Sequence, residues 1–234
     1  MKRTIFWPLF PAFMLMIMQL QAADFRLNNE KNNITIIPSG FQGVGIRATI
    51  AQLNFSDVLT PEGTFTLLGV EGFSKRTKEG EPALPVYTKL IEVPLNAEFS
   101  YTIKRQQYRE LSLNELGITH LLFPAQPPMS KSDDPDQVPF IFNKATYATD
   151  RYVGDDLISV EMVGTMRAVT LARIQVSPFL YNPVTGVLKV LEQIDIEVRF
   201  KNADIGATME LKRSKASPYF NSLFSQVENH VTSE

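Results

Sequence analysis

Ile194-Asp-Ile-Glu-Val-Arg-Phe-Lys201 alternates apolar and charged residues without a break. A period of two puts Ile194, Ile196, Val198 and Phe200 on one side of an extended chain, and Asp195, Glu197, Arg199 and Lys201 on the other. The stretch predicts a half-buried strand of an antiparallel sheet. Upstream, Phe99, Tyr101 and Ile103 alternate with Ser100, Thr102 and Lys104 in the same way. Further strands are expected over Ile34–Ile37, Ile46–Phe55, Thr64–Val70, Val86–Val93, Leu157–Val163 and Ala168–Val176, separated by Gly and Pro. Many short strands with turn residues between them indicate an all-β fold, an antiparallel β-sandwich or barrel-like sheet pair.

Two segments depart from strand character. Tyr181-Asn-Pro-Val-Thr-Gly186 carries turn residues between two strand patterns and predicts a hairpin loop. Ser217-Pro-Tyr-Phe-Asn-Ser-Leu-Phe-Ser-Gln-Val227 is the only stretch suited to a short C-terminal helix, with Ser217 as N-cap and Pro218 in the first turn.

The chain opens on Met1, Lys2 and Arg3, continues with an apolar stretch from Ile5 to Leu20, and leaves it through Gln21 and Ala22. A basic start, an apolar centre and a small-residue exit predict a signal peptide over residues 1–22. The stretch falls short of the roughly 20 apolar residues that a membrane helix needs, and Pro8 and Pro11 interrupt it. The expected mature part, residues 23–234, is secreted or periplasmic, has no membrane span and is long enough for one well-buried domain. Losing Lys2 and Arg3 takes the formal net charge from −2 to −4, with both signs interspersed, which gives nucleic-acid binding no support.

There is no cysteine. A thiol nucleophile, a disulfide and a thiolate metal site are thereby excluded, and the two histidines, His120 and His230, supply poorly any metal cage or Ser/His relay. His120 lies beside apolar residues as a packed or surface histidine, and His230, in a frayed tail, is given no role. Asp133, Asp134 and Asp136 lack the ligand spacing and central glycine of a calcium loop and predict a solvated acidic loop. Glu71, Glu79 and Glu81 fall in a Gly/Pro-rich stretch and carry no specificity as a carboxylate pair. Gly43-Val-Gly45 lacks the third glycine of a phosphate loop and predicts a flexible loop. No cofactor is expected.

Five prolines, Pro124, Pro127, Pro128, Pro135 and Pro139, mark out a segment unlike its surroundings. Each fixes its own φ and pushes the preceding residue toward extended geometry, which predicts an exposed, semi-rigid, extended loop over Pro124–Pro139. Lys131 stands at its middle. Composition alone makes it a solvated surface lysine; the alternative is that the loop presents it to the cleft of a protease that reads lysine. Spacing does not select between them.

Several stretches together resemble the N-terminal propeptide of the gingipain family of cysteine proteases. They are Met129-Ser-Lys-Ser-Asp-Asp-Pro-Asp-Gln-Val-Pro-Phe-Ile-Phe142, Tyr152-Val-Gly-Asp-Asp156, Val160-Glu-Met-Val-Gly-Thr-Met-Arg167, Tyr181-Asn-Pro-Val-Thr185, Ser217-Pro-Tyr-Phe220, and upstream Gly80-Glu-Pro-Ala-Leu-Pro85 with Leu90-Ile-Glu-Val-Pro94. The likeness covers roughly residues 40–224, and the lysine-specific branch is the nearer match. It implies an all-β prodomain that assists folding of a gingipain-type cysteine protease catalytic domain and blocks its active-site cleft with a substrate-like loop. By position it implies that Lys131 fills the specificity pocket, with Met129, Ser130, Ser132, Asp133 and Asp134 beside it in the cleft. In that family the catalytic domain follows in the same chain, whereas here residues 221–234 follow Phe220 and no Lys or Arg occurs after Lys215. A stand-alone propeptide and the N-terminal fragment of a zymogen are both consistent with this, as is a secreted β-sandwich binding module without a protease partner. A chain that lacks the cysteine nucleophile is expected not to be an enzyme itself.

The mature domain should give a β-dominated far-ultraviolet circular dichroism spectrum and a thermal melt that does not respond to reductant. A helix-rich spectrum would overturn the fold expectation.

Overall fold

The computed structural model describes residues 22–130, 138–215 and 217–230. The strands among them are β1 (Ala22–Arg26), β2 (Asn33–Pro38), β3 (Gly43–Thr49), β4 (Gln52–Thr60), β5 (Gly63–Gly69), β6 (Ser74–Lys75), β7 (Pro85–Glu92), β8 (Glu98–Ser112), β9 (Ile158–Met166), β10 (Val169–Val176), β11 (Phe179–Asn182) and β12 (Val187–Lys201). They form three antiparallel sheets. In the first, β12 is flanked along one edge by β8 and along the other by β11 and β3, with β2 beyond β3. The second runs β6-β7-β10-β9 and the third β1-β4-β5.

The alternating stretch Ile194–Lys201 is the second half of β12, and the strand as a whole feeds two cores. Ile194, Ile196, Val198 and Phe200 pack with Ile46 of β3 and with Ile91, Ala172, Ile174 and Val176 of the second sheet. Leu188 and Val190, from the first half, pack instead with Phe179, Tyr181 and, from the third sheet, Leu53, Phe55 and Leu68. The change of partner occurs at a bulge. Leu191 pairs with Tyr108 and Gln193 with Gln107, so Glu192 is one residue too many. Val190 and Leu191 are neighbours on opposite faces, and the extra residue brings Leu191 and Ile194 onto the same face, where both join the first core. Glu192 is buried and forms an ion pair with Arg109 of β8.

The Ile46–Phe55 stretch, expected as one strand, is two. At Ile50 and Ala51, both fully buried, the chain leaves the first sheet and enters the third. The corner is held from both sides. Ile50 N–H donates to the Glu192 carbonyl at the bulge (2.8 Å), and Asn32 Oδ1 accepts from the N–H groups of Ala51 and Gln52 (2.7 and 2.9 Å). Gly43-Val-Gly45, expected as a loop, opens β3 instead, where a Cβ on Gly43 would lie 2.0 Å from the Val198 carbonyl oxygen.

Most of the other expected strands are present within a few residues, and so is the hairpin between β11 and β12. In that hairpin Asn182 Oδ1 accepts from Val184 and Thr185 N–H, and Gly186 takes φ +67°. β8 is a strand but not half-buried: Tyr101 and Ile103 are 51% and 37% exposed, although they sit opposite the buried Val198 and Ile196. Among the described residues β8 pairs only with β12, so it lies at the rim of the sheet; Phe99 packs on the first core and Leu111 is buried in the second, while the face between them, at Tyr101 and Ile103, is left open.

The tail forms the expected short helix as a 3-10 turn over Pro218–Phe224, but the Ser217 side chain makes no capping hydrogen bond. Two helices were not foreseen. α1 (Lys144–Tyr147) is a single turn capped by Asn143, and α2 (Ile205–Lys215) starts at Asp204, whose Oδ1 accepts from Ala207 N–H. In α2 only Thr208 is buried, so the helix carries no apolar stripe by which periodicity could reveal it. His230 also has a partner: it meets Glu92 of β7 (Nδ1 to Oε2, 2.7 Å), which Lys212 of α2 approaches at 2.5 Å. Asn229 accepts from Glu92 N–H and donates to its carbonyl. Phe224 and Val227 cover Val169, Leu171 and Leu90. No helix of the described residues is long and apolar enough to cross a membrane.

Ile196→Ala should cost about 2–5 kcal/mol, because a fully buried side chain leaves a cavity between two sheets. Tyr101→Ala, on the open face of β8, should stay within about 0.5 kcal/mol. Chemical denaturation of both variants checks the contrast, and equal losses would contradict it.

Candidate functional site

The proline-rich segment grows out of a small frame made of three short stretches, Gly80–Ala83, Leu121–Gln126 and Phe140–Asn143. The incoming stretch lies between β5 and the Gly80–Ala83 strip. On one side Thr66 N–H donates to Leu121 O and Phe123 N–H to Thr66 O, both at 2.8 Å. On the other Ala83 N–H donates to Phe123 O (2.9 Å) and Ala125 N–H to Glu81 O (2.8 Å). Pro124 and Ala125 are therefore buried, which corrects the expectation of an exposed loop from Pro124 onward. Exposure begins at Pro128.

Gly80 ties both legs at once: its N–H donates to Ala125 O on the incoming leg (2.8 Å), and its carbonyl accepts from Asn143 N–H on the outgoing leg (3.0 Å). A glycine is required here. Its φ is +74°, and a Cβ would stand 3.1 Å from both Asn143 N and Ile141 Cγ2.

Pro127 and Pro128 have no N–H, so beyond Gln126 the backbone has no donor to offer the outgoing leg. The Gln126 side chain takes over. Its Oε1 accepts from Ile141 N–H (2.9 Å), while Nε2 donates to Ile141 O (2.8 Å) and Pro124 O (3.0 Å). The amide thus pairs with Ile141 as a neighbouring strand residue would.

Aromatic rings anchor the same two legs. Buried Phe65 of β5 meets Phe123 of the incoming leg (ring centroids 6.4 Å apart) and Phe140 and Phe142 of the outgoing leg (5.8 and 5.1 Å). Tyr147 of α1 closes over Phe142 at 4.8 Å and donates its hydroxyl to Leu122 O at 2.6 Å. Burial pushes its phenol far above the ordinary range, and the Tyr181 and Glu81 charges push the same way, so it stays a neutral donor.

Beneath the frame sits a charged network. Arg76, with its side chain 4% exposed, reaches Glu81 (Nη1 to Oε2, 2.8 Å) and Asp155 (Nε to Oδ1, 2.6 Å), and Lys78 reaches the other Glu81 oxygen at 2.6 Å. Burial alone would raise the Glu81 carboxyl, but hydrogen bonds from Lys78 and Arg76, with their charges, outweigh it and hold the group below its ordinary value. Through Asp155 the network joins the frame to the Tyr152–Asp156 stretch. That stretch is itself fixed by Val153, which exchanges hydrogen bonds with Tyr181 (2.7 and 2.9 Å), and by Gly154, where a Cβ would lie 2.5 Å from Leu180 Cδ2.

Of the residues singled out in the sequence, Met129 and Ser130 are exposed just beyond the frame. Lys131, Ser132, Asp133 and Asp134, with Asp136, lie outside the described residues. Glu71 and Glu79 are exposed, whereas Glu81 is the buried anion of the network. His120 is exposed. No group of three or more potential metal ligands occurs among the described residues. Gly80, Gln126 and Arg76 escaped the sequence reading. The available signal was Gln126 itself, an amide set just before two residues that cannot donate.

Fold and frame define a β-sandwich that fixes the two ends of a proline-rich segment. Its likeness to known proteins is specific. The family described as Propeptide_C25 matches residues 26–228. Lys-gingipain of Porphyromonas gingivalis is 37% identical over 209 residues, 89% of this chain and 12% of that protein, and gingipain R2 of the same organism is 24% identical over 181 residues. A solved structure described as "Structural insight into zymogenic latency of gingipain K from Porphyromonas gingivalis" superimposes with a TM-score of 0.72 at 37% identity, over 78% of this chain and all of the other. A complex of the Porphyromonas gingivalis RgpB pro- and mature domains has the same fold, with a TM-score of 0.65 at 17% identity over 84% of this chain and 97% of the other. The chain belongs to the propeptide family of the C25 peptidases, the gingipains, and spans about an eighth of the length of its Lys-gingipain relative.

A carboxylate held below its ordinary value stabilises the fold above the unfolded pKa of about 4.3 and loses that contribution as pH falls through the folded value. The thermal melt should therefore drop as pH falls below about 4. Glu81→Gln should lower the melt at pH 7 and make the acid drop shallower. A variant that melts in parallel with the parent at every pH would show that the network contributes nothing.

Proposed function

We propose that this propeptide inhibits, and assists the folding of, a gingipain-type cysteine protease catalytic domain with lysine specificity, by placing the segment between Gln126 and Phe140 in the active-site cleft. The frame carries this reading. A loop whose two legs are tied by backbone, amide and aromatic contacts loses little conformational freedom on docking, which is what a cleft-directed inhibitor needs. Lys131 fills the specificity pocket, flanked by Met129, Ser130, Ser132, Asp133 and Asp134. The residues of this chain supply no cysteine nucleophile, so the segment itself is proposed to be non-catalytic. Residues 1–22 serve as an export signal, and the domain of residues 23–234 acts in the secreted or periplasmic space.

A pocket that reads lysine needs a buried acid. Lys131→Ala leaves that acid unpaired and should weaken inhibition of a lysine-specific gingipain catalytic domain by about 2–5 kcal/mol. Lys131→Arg should be intermediate, since a planar guanidinium fits an ammonium pocket imperfectly. Inhibition constants measured beside thermal melts decide the matter. Equal constants for the three proteins would return Lys131 to a solvated lysine, and a parent domain that does not inhibit at all would leave a binding module without a protease partner.

A further inference from the structure

We propose that Gln126 is a positioning residue for inhibition: its side-chain amide, paired with Ile141 and Pro124, sets the separation and direction of the two loop legs without touching the protease. The inference rests on the inhibitory reading given above and adds a residue to it.

Three observations converge on the amide. Pro127 and Pro128 supply no N–H, so just beyond Gln126 the incoming leg has no main-chain donor with which to hold the outgoing one. All three of its hydrogen bonds run to main-chain atoms of the two legs, none to the strands of the cores. The bonds one step further in, through Gly80 to Ala125 and Asn143, are complete without it. The main-chain bonds of the frame therefore close below Gln126; one residue beyond Ile141 the outgoing leg has the packing of the Phe140 ring on Phe65 and Phe123, and what the amide adds is a directional tie between the two backbones. Its loss should cost affinity for the catalytic domain and leave global stability almost unchanged, because the relative direction of the two backbones would then be fixed only on docking.

The amide can also be made titratable. A protonated glutamic acid has one donor and one acceptor in nearly the geometry of the glutamine amide, so in Gln126→Glu it can pair with Ile141 N–H and carbonyl as the parent does. Once ionised it keeps only acceptors and faces the carbonyl oxygens of Ile141 and Pro124. The variant should behave like the parent at low pH and like Gln126→Ala at neutral pH.

The test measures dissociation constants of the parent domain, Gln126→Ala and Gln126→Glu for a lysine-specific gingipain-type catalytic domain whose nucleophilic cysteine is replaced. Measurements at about pH 4.5 and pH 7.5 bracket a carboxyl group set against carbonyl oxygens. Thermal melts of each free domain accompany them. At pH 7.5 both variants should bind roughly 10- to 100-fold more weakly than the parent, as expected for losing two or three net hydrogen bonds. Their melts should lie within about 4 °C of it, the shift expected from 1 kcal/mol in a domain of this size. At pH 4.5 the glutamate variant should recover toward the parent, and the alanine variant should not. Parent-like binding by the alanine variant would overturn the positioning role, and so would a large loss of melting temperature with no recovery of the glutamate variant at low pH. A parent domain that fails to bind sinks the inhibitory reading and this inference together, whereas a binding parent with indifferent variants sinks this inference alone.

Discussion

The bulge at Glu192 is the constraint on which the rest of the architecture depends. A regular strand commits each residue to one face, and a 15-residue strand without irregularity would hold its even-numbered residues on one side throughout. Here the even residues before the bulge, Leu188 and Val190, serve one core, and those after it, Ile194 through Phe200, serve another. One extra residue lets a single strand roof two cores on opposite faces. The energetic demand falls on Glu192, whose buried carboxylate meets Arg109, while its carbonyl holds Ile50 at the corner where the chain changes sheets. A buried ion pair is weak evidence of net stability, because desolvation offsets much of its attraction. At a bulge its contribution is better understood as fixing register: the alternative pairings of β12 would leave the same charge buried without a partner.

The loop frame applies the same economy of parts at smaller scale. The third sheet and the hairpin Phe179–Asn182 build the second core, and Phe65, at its margin, collects Phe123, Phe140 and Phe142 from both legs. Arg76, Glu81 and Asp155 then link the frame to the Tyr152–Asp156 stretch, which Val153 pins to Tyr181 in that core. Rigidity at the frame is thus inherited from the core and passed to the legs through contacts of short range. Without a cysteine there is no covalent staple, so the ends of the loop are held by hydrogen bonds, rings and ion pairs that act together.

Much of the fold was legible because burial writes itself into alternation. Ile194–Phe200 faces a core on one side, and its strand, like those of Thr64–Val70 and Ala168–Val176, lies close to where the pattern puts it. Legibility failed where tertiary structure overrides the local signal. The Ile46–Phe55 run stays apolar through the sheet change at Ile50 and Ala51, since both corner residues are buried as well. Phe99 packs on the first core, but Tyr101 and Ile103, which continue its alternation, lie at the rim of the sheet, where alternation no longer implies burial. α2 buries one residue, and His230 acquires its role from Glu92, far away in sequence. The frame of the proline-rich segment was not legible, because Gly80, Gln126 and Ile141 become partners only in space.

The distribution of polar groups separates what holds the fold from what presents the loop. The two cores are built mainly by aliphatic and aromatic contact, and packing of that kind specifies position only as finely as side-chain volumes interdigitate. Hydrogen bonds are directional, and the frame uses them at each point where a leg must leave in a set direction: Glu81 O to Ala125, Gly80 to both legs, Gln126 to Ile141. Rings add contact area at the base, where direction matters less. On the outgoing leg the two kinds of contact alternate: Phe140 and Phe142 pack on Phe65, while Ile141 between them is held by the Gln126 amide, so packing fixes the position of the leg and the hydrogen bonds fix its direction.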